Sequence, residues 1–491
     1  MPRHPRARSA VRRGHRPAVP HPSALLALAV LCAPGGAHAQ SAPTVEDLAR
    51  RLQAIEARLG APQEAAEPGA DLAALDRRLR AVERTLELQA EEASAKAASA
   101  TRVGLSASKG LSVRSPAQDG AELKLRGLLQ ADGRFFFDDA QRPQNDTFLW
   151  RRAQLTLEGT WGPLLGFRVT PELAGDSVTL LDAWVDLKFD PRATVRIGKS
   201  KNPVGLERLQ NSGATALVEL GFPGELAPGR DIGVQLQGEL ASSTVSYALG
   251  AYNGAPDGRD GATANPDDDL ELAARVFVEP WKNAGSALSG LGFGLAGSRG
   301  GKHGNGNAFL PRYRTPGQAT FFAYRGAVDA DGTHARWSPQ AYFYRHAFGL
   351  LGEYIRSEQE VALPAGGARA SLAHDAWQLT ASYVLTGEDA GYRGVARPNR
   401  PFTPGGAGWG AWELVARYGE LDVDDAAFPS FADPASAASR AAAWTLGVNW
   451  YLNGNFKLVA NYSQTRFDGG AADGADREDE KAFLARAQFS F

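Results

Sequence analysis

The chain has 491 residues with a formal net charge of −2, one cysteine and one methionine. A single cysteine excludes a disulfide framework and a cysteine-based metal site. No stretch of about 18 uncharged apolar residues follows residue 40, which excludes transmembrane helices. The length suits a large barrel better than one ordinary soluble domain, and the 55 glycines and 22 phenylalanines are typical of an all-β chain.

Residues 1–39 are predicted to be an export signal. Six arginines precede a short apolar stretch over 23–33, and a small-x-small cleavage site at 37–39 places Gln40 at the mature N-terminus. Removing these six from the 53 basic residues leaves 47 against 55 acidic ones, a formal net charge of about −8. That balance, in an exported protein, argues against a nucleic-acid partner.

Residues 40–90 are predicted to form a helical coiled-coil segment. Their apolar residues recur at spacings of three and four in two blocks, which comprise Val45, Leu48, Leu52, Ile55 and Leu59, then Leu72, Leu75, Leu79, Val82 and Leu86. Two short blocks are marginal alone, so they imply self-association or docking on another molecule. Solvent-exposed helices without a partner are the alternative. Residues 91–120, rich in alanine, serine and glycine, are predicted to be a flexible linker.

From residue 121 to 491, extended runs recur in which apolar residues occupy one parity and polar residues the other. The hairpin around the turn at 190–192 shows the pattern, with apolar residues at 181, 183, 185 and 187 and charged ones at 182 and 186. There are about sixteen such runs, each long enough to cross a bilayer as a tilted strand, and too many for one sandwich. The pattern therefore predicts an all-β transmembrane barrel of about 16 antiparallel strands with a water-filled lumen.

The connections between these runs fall into two kinds. Short turns occur at 190–192 and 453–455, and the long polar connections are 202–230, 254–268, 299–318, 387–408 and 421–440. Outer-membrane barrels carry short turns on one rim and long loops on the other. The segment 202–230 is rich in glycine and proline, and it is a candidate to fold into the lumen and narrow it.

No catalytic constellation accompanies the strands. The sequence has no Gly-x-Ser-x-Gly nucleophile elbow, and its eight histidines are scattered. Neither an enzyme nor a cofactor or metal site is predicted.

Several motifs occur in an order that resembles the phosphate-selective porin O/P family. They include Trp-Arg-Arg-Ala-Gln-Leu at 150–155, Asp-Ala-Trp-Val-Asp at 182–186, Gly-Leu-Glu-Arg at 205–208 and Pro-Gly-Arg-Asp at 228–231. The resemblance covers about 121–491. It implies a sixteen-stranded, homotrimeric porin of the Gram-negative outer membrane, with residues 40–90 as a periplasmic coiled coil and the terminal Phe491 in a barrel-assembly signal.

The resemblance also implies an anion pathway lined by cations at the constriction. The positions that match are Arg126, Arg151, Arg152 and Arg230, with Lys201 and Arg208 as further additions and Asp186 as a carboxylate beside them. Guanidinium groups suit phosphate because they present a rigid fork of donors. Arg151 has the parity of the lipid-facing residues, so it needs a β-bulge or a position above the bilayer. The alternative for each cation is an ordinary wall charge paired with a neighbouring acid.

Together these features predict a passive outer-membrane channel for inorganic phosphate, polyphosphate or other small anions. A general porin for small hydrophilic solutes is one alternative. A structural barrel that tethers the envelope through residues 44–90 is another.

Overall fold

The computed structural model describes Arg50, Gln53 and residues 72–99, 101–106, 110–116 and 120–491. The predicted export signal at 1–39 and nearly all of the first heptad block lie outside these residues. The chain divides into two units, Met1–Ala93 and Ser94–Phe491. None of the helices in the described part of the chain combines the length and the apolar character needed to cross a bilayer.

Among the strands of the described residues, β1, β2, β12 and β13 are short and the others are longer. In chain order they are β1 Arg102–Ser106, β2 Gly110–Arg114, β3 Glu122–Phe137, β4 Thr147–Trp161, β5 Leu165–Glu172, β6 Thr179–Asp190, β7 Ala193–Lys201, β8 Arg230–Leu240, β9 Val245–Tyr252, β10 Glu271–Val278, β11 Leu291–Gly304, β12 Arg312–Arg314, β13 Thr320–Ala323, β14 Asp329–Arg345, β15 Phe348–Ala362, β16 Arg369–Val384, β17 Ala411–Asp422, β18 Ala438–Tyr451, β19 Phe456–Gly469 and β20 Glu480–Ser490. The α-helices are α1 Leu72–Ser99, α2 Leu206–Leu209 and α3 Pro223–Leu226, and 3-10 turns lie at Asn307–Phe309, Asp425–Ala427 and Ala472–Gly474.

Residues 91–120 were predicted to be a flexible linker, but the structure contains a helix and two strands there. Helix α1 continues to Ser99, and the hairpin of β1 and β2 follows it. Alanine and glutamate, which dominate the end of α1, are strong helix formers, so the alanine content of this stretch favours continuation of the helix and not a linker. Helix α1 contains the second heptad block, and its self-association stays a prediction.

Sixteen strands, β3–β11 and β14–β20, form a closed antiparallel barrel. The closure lies between β20 and β3, where Phe483 is opposite Phe135. Strand β2 pairs with the part of β3 that extends past the end of β20. The predicted barrel of about 16 antiparallel strands is confirmed.

The barrel carries its apolar side chains outside and its polar side chains inside. On the exterior, Leu249 and Leu272 are 55% and 62% exposed, whereas the inward-facing Gln130 and Asn449 are both 0% exposed. Apolar exposure repeated around the whole wall is typical of a surface that meets lipid. The alternation in each strand therefore places lipid outside the wall and polar groups inside it.

The two rims differ in the length of their connections. One rim, called here the short-turn rim, carries the turns at 162–164, 191–192, 241–244, 346–347 and 452–455 and the longer connection at 279–290. The opposite long-loop rim carries the connections at 138–146, 173–178, 202–229, 253–270, 305–328, 363–368, 423–437 and 470–479. Successive strands are antiparallel, so connections alternate between the rims, and 385–410 belongs to the short-turn rim. The sequence-based prediction grouped this segment, as 387–408, with the loops of the long-loop rim. That grouping was wrong because it relied on the length of the segment alone.

A hydrophobic core lies among the loops at the long-loop rim. Phe222 and Leu226, from the segment 202–229, are buried against Tyr313, Phe321 and neighbouring residues of the segment 305–328. The rings of Phe222 and Phe321 are 6.0 Å apart and nearly perpendicular, at 79°. This packing fixes the two segments to each other and to the wall.

Candidate functional site

The segment 202–229 crosses the lumen and docks on the opposite wall. The backbone N–H of Val218 donates to Asn461 Oδ1 at 2.7 Å, and Asn449 Nδ2 donates to the carbonyl oxygen of Ala216 at 2.8 Å. The prediction that this segment folds into the lumen is confirmed, and the segment is called here the constriction loop.

Buried charges anchor the first part of the constriction loop. Glu207 accepts hydrogen bonds from the Arg417 guanidinium and, at 2.9 Å, from Gln378 Nε2. The Glu353 carboxylate accepts from the backbone N–H groups of Leu206 and, at 3.1 Å, of Glu207. These partners lie on β15, β16 and β17, so this wall holds the start of the loop in place.

A small cavity lies between the constriction loop and strands β4, β7 and β8. Its volume is about 70 Å³, and its lining includes four cations and no carboxylate; the cations are Arg152, Lys201, Arg208 and Arg230. It shares lining residues with a cavity of about 310 Å³ toward the long-loop rim and with one of about 950 Å³ toward the short-turn rim. This small cavity, called here the constriction, lies between two wider spaces.

Three of these four cations are held by neutral groups. Arg152 Nη1 donates to Gln130 Oε1 at 2.7 Å, and Lys201 Nζ donates to two backbone carbonyl oxygens at the end of α2. The Arg208 guanidinium donates to the carbonyl oxygen of Gly224. Neutral acceptors orient these cations and leave their charge available to an anion.

The fourth cation has a carboxylate partner, and it is not the predicted one. Arg230 Nε lies 2.8 Å from Asp182 Oδ1. Asp186 instead forms two hydrogen bonds with Arg196, at 2.8 and 3.0 Å, and it does not line the constriction. The placement of Asp186 beside the cations was therefore wrong: residues four apart in a strand share one face, so parity could not separate the two carboxylates.

A β-bulge in β4 turns two adjacent arginines into the lumen. Arg152 is opposite Gln130 and Trp150 is opposite the next residue of β3, so Arg151 is the extra residue. The predicted requirement for a bulge is thus met. Arg151 is bound by Glu219 of the constriction loop, at 2.6 and 3.0 Å, and lines the 310 Å³ cavity beside the constriction.

Glu219 is the centre of a buried cluster of cations. Arg134 Nη2 also donates to it at 2.8 Å. Burial alone would raise the pKa of Glu219, but the charges of Arg151 and Arg486 oppose burial and hold the pKa below its ordinary value. Glu219 is therefore ionised at neutral pH.

The remaining predicted cation, Arg126, lies toward the short-turn rim. It lines the 950 Å³ cavity and pairs with Glu158 at 3.3 Å. Arg168, which sequence reasoning missed, shares Glu158, although its inward parity in β5 was a usable signal. Arg393 of the segment 385–410 lines the same cavity, and no periodic pattern pointed to it.

The segment 385–410 enters the lumen from the short-turn rim and supports the constriction loop. Tyr392 donates its hydroxyl to the carbonyl oxygen of Leu206 at 2.5 Å, and Gln210 Nε2 donates to the carbonyl oxygen of Tyr392 at 2.6 Å. The Tyr392 ring stacks on Tyr342, with centroids 5.2 Å apart. Lys201 bonds to the same turn of the loop, so this segment helps to position a cation of the constriction.

A closed sixteen-stranded barrel with an apolar exterior and a loop folded into a polar lumen defines a porin. The family model described as phosphate-selective porin O and P matches residues 123–491, and the chain belongs to this family. The resemblance seen in the sequence is confirmed. Family and fold are those of channel proteins of the bacterial outer membrane.

Known proteins are similar over most of the barrel. Porin O of Pseudomonas aeruginosa is 23% identical over 397 residues, which cover 75% of this chain and 88% of that protein. The outer membrane channel DcaP of Acinetobacter baumannii is 12% identical, with a TM-score of 0.49 over 76% of this chain and 97% of that one. OmpT of Vibrio cholerae is 11% identical, with a TM-score of 0.48 over 76% and 98% of the two chains.

Proposed function

We propose that this porin is a passive, anion-selective channel and that phosphate is the anion its constriction takes. The observation that carries the proposal is the cavity of about 70 Å³, lined by four cations and no carboxylate. The description of the family as phosphate-selective supports the choice of anion.

The four cations provide hydrogen-bond donors that can replace the hydration shell of an oxyanion. Arg152, Arg208 and Arg230 offer planar forks, and Lys201 offers a compact charge. A channel also requires that the ion leaves again, so binding must stay moderate. Asp182 serves this requirement, because its carboxylate competes with the anion for Arg230.

The proposal includes an orientation and an assembly. We propose that the short-turn rim faces the periplasm, because outer-membrane barrels carry short periplasmic turns, and that residues 40–90 are periplasmic. The heptads within 40–90 support a homotrimer, because short blocks of this kind are marginal alone.

Single-channel recording of the purified mature protein in a planar bilayer tests the proposal. Anions should carry most of the current in a potassium chloride gradient, and micromolar phosphate should reduce the chloride current. The reduction is expected because phosphate would occupy the constriction longer than chloride does. A current that shows no preference for anions and persists unchanged in millimolar phosphate would contradict the proposal and favour a general porin.

A further inference from the structure

The bulge in β4 offers the lumen two adjacent guanidinium groups that differ in their partners. Arg152 bonds to an amide oxygen, whereas Arg151 forms two hydrogen bonds with the Glu219 carboxylate. Arg151 lines the 310 Å³ cavity together with Arg152, Arg208 and Arg230 of the constriction. The carboxylate in direct contact with Arg151, that of Glu219, therefore neutralises a guanidinium that lies beside the pathway cations.

Main-chain atoms dock the constriction loop in addition to this carboxylate. Arg417 Nη1 donates to the backbone oxygen of Glu219 at 3.0 Å, and the preceding residue, Val218, donates its N–H to Asn461. Both bonds use main-chain atoms of the loop. A change limited to the Glu219 side chain leaves these bonds in place.

The charges around Glu219 also show which cations it neutralises. Arg486 makes two hydrogen bonds of 2.7 Å with Asp132 and lies 3.9 Å from Glu219. Arg134 and Arg151 contact Glu219 directly, at 2.8 and 2.6 Å. Of these two, Arg151 has the more exposed side chain, at 29% against 11%, so it is the cation that would reach a passing anion.

We propose that Glu219 sets the affinity of this pore for its anion by withdrawing Arg151 from the pathway. With Arg151 neutralised, four cations define the constriction and a bound anion leaves readily. With Arg151 released, a fifth cation would extend the site toward the long-loop rim and hold the anion longer. The inference rests on the proposed anion channel and goes beyond it, because it assigns the tuning of affinity to an acidic residue.

The substitution Glu219→Gln tests the inference because it removes the charge and keeps the shape. Phosphate should then block chloride current at a concentration about three- to tenfold lower than in the unmodified protein, since one more cation faces the site. Phosphate current at saturation should fall, because release slows. Glu420→Gln is the control: Glu420 lies on β17, pairs with Arg440 at 2.6 Å and does not line this cavity. It removes an equal charge without releasing Arg151, and the blocking concentration should change less than about twofold.

The double substitution Glu219→Gln with Arg151→Gln separates electrostatics from loosening of the loop. If released Arg151 causes the tighter block, the double variant returns to the unmodified value. Weaker or unchanged block in Glu219→Gln, or a tighter block that persists in the double variant, would overturn the inference. If phosphate does not block even the unmodified channel, the proposed function fails on its own. The ratio of chloride to potassium permeability, which should rise in Glu219→Gln alone, then decides the inference separately.

Discussion

The two walls of the lumen both carry buried charge, but they use it differently. On the wall of β4 and β7, Arg152 and Lys201 bond to neutral groups and face the constriction. On the wall of β15–β19, Arg417 is paired with Glu207, and Lys457 donates to carbonyl oxygens of the constriction loop. The comparison teaches that position matters as well as partner: Lys201 and Lys457 both bond to carbonyl oxygens of the constriction loop, but Lys201 lines the constriction and Lys457 does not. Removing a charge from the first wall should change transport, and removing one from the second should change structure.

The largest effect on transport is expected from Arg152→Gln. This change removes a charged donor from the constriction, and hydrogen bonds to charged groups contribute about 1.5–3 kcal/mol, so phosphate should block at about 10- to 100-fold higher concentration. Blocking concentrations from single-channel recording measure the effect. Arg299→Gln, at an exposed position on β11, is the control and should leave the block unchanged. Equal block in both variants would place the anion site elsewhere.

The second prediction concerns the wall that holds the loop. Glu207→Gln leaves the Arg417 guanidinium buried without its carboxylate, and breaking such a pair costs about 3–5 kcal/mol. The barrel should lose its compact gel mobility at a lower temperature, and single-channel conductance should rise as the loop leaves the wall. Glu420→Gln is the control, because Glu420 pairs with the more exposed Arg440 and should change neither readout. An unchanged conductance in Glu207→Gln would mean that other bonds suffice to dock the loop.

The smallest effect is expected at the support from the short-turn rim. Tyr392→Phe removes one hydrogen bond to Leu206, worth about 1 kcal/mol, so the phosphate block should weaken by about two- to fivefold with little loss of stability. Tyr247→Phe is the matched control, because its hydroxyl also donates to a carbonyl oxygen at that rim, that of Arg192. A shift of similar size in both variants would mean that the segment 385–410 does not help to position the constriction.

Much of the barrel could be predicted because the alternation of apolar and polar residues is a local pattern in each strand. In β4, Leu155 and Leu157 alternate with Thr156 and Glu158, and a side-chain period of two is visible without knowledge of distant residues. The four cations that meet at the constriction were also among the predicted residues. Their selection came from the resemblance to a family, since alternation alone shows many inward arginines and ranks none of them.

The choice of partner could not be predicted, because it depends on residues far apart in the chain. Glu219 is 68 residues from Arg151, and only the folded loop brings them together. The role of Asp182 was assigned to Asp186 for a related reason, because both residues face the lumen on one strand. The inward course of 385–410 was missed because glycine-rich connections carry no periodicity that indicates where they lie.

The bulge in β4 has a consequence for how densely a barrel can present charge. In a regular strand one side chain faces the lumen every two residues, about 7 Å apart, so two neighbouring residues cannot both face the lumen. The extra residue at 151 lifts that spacing limit at one height of the wall, where one guanidinium binds Glu219 of the constriction loop and its neighbour bonds to Gln130 and lines the proposed anion site. Deleting Arg151 would restore the regular alternation of β4: Arg152 would still face the lumen, Phe148 and Trp150 would still face outward, and this height of the wall would keep one arginine instead of two.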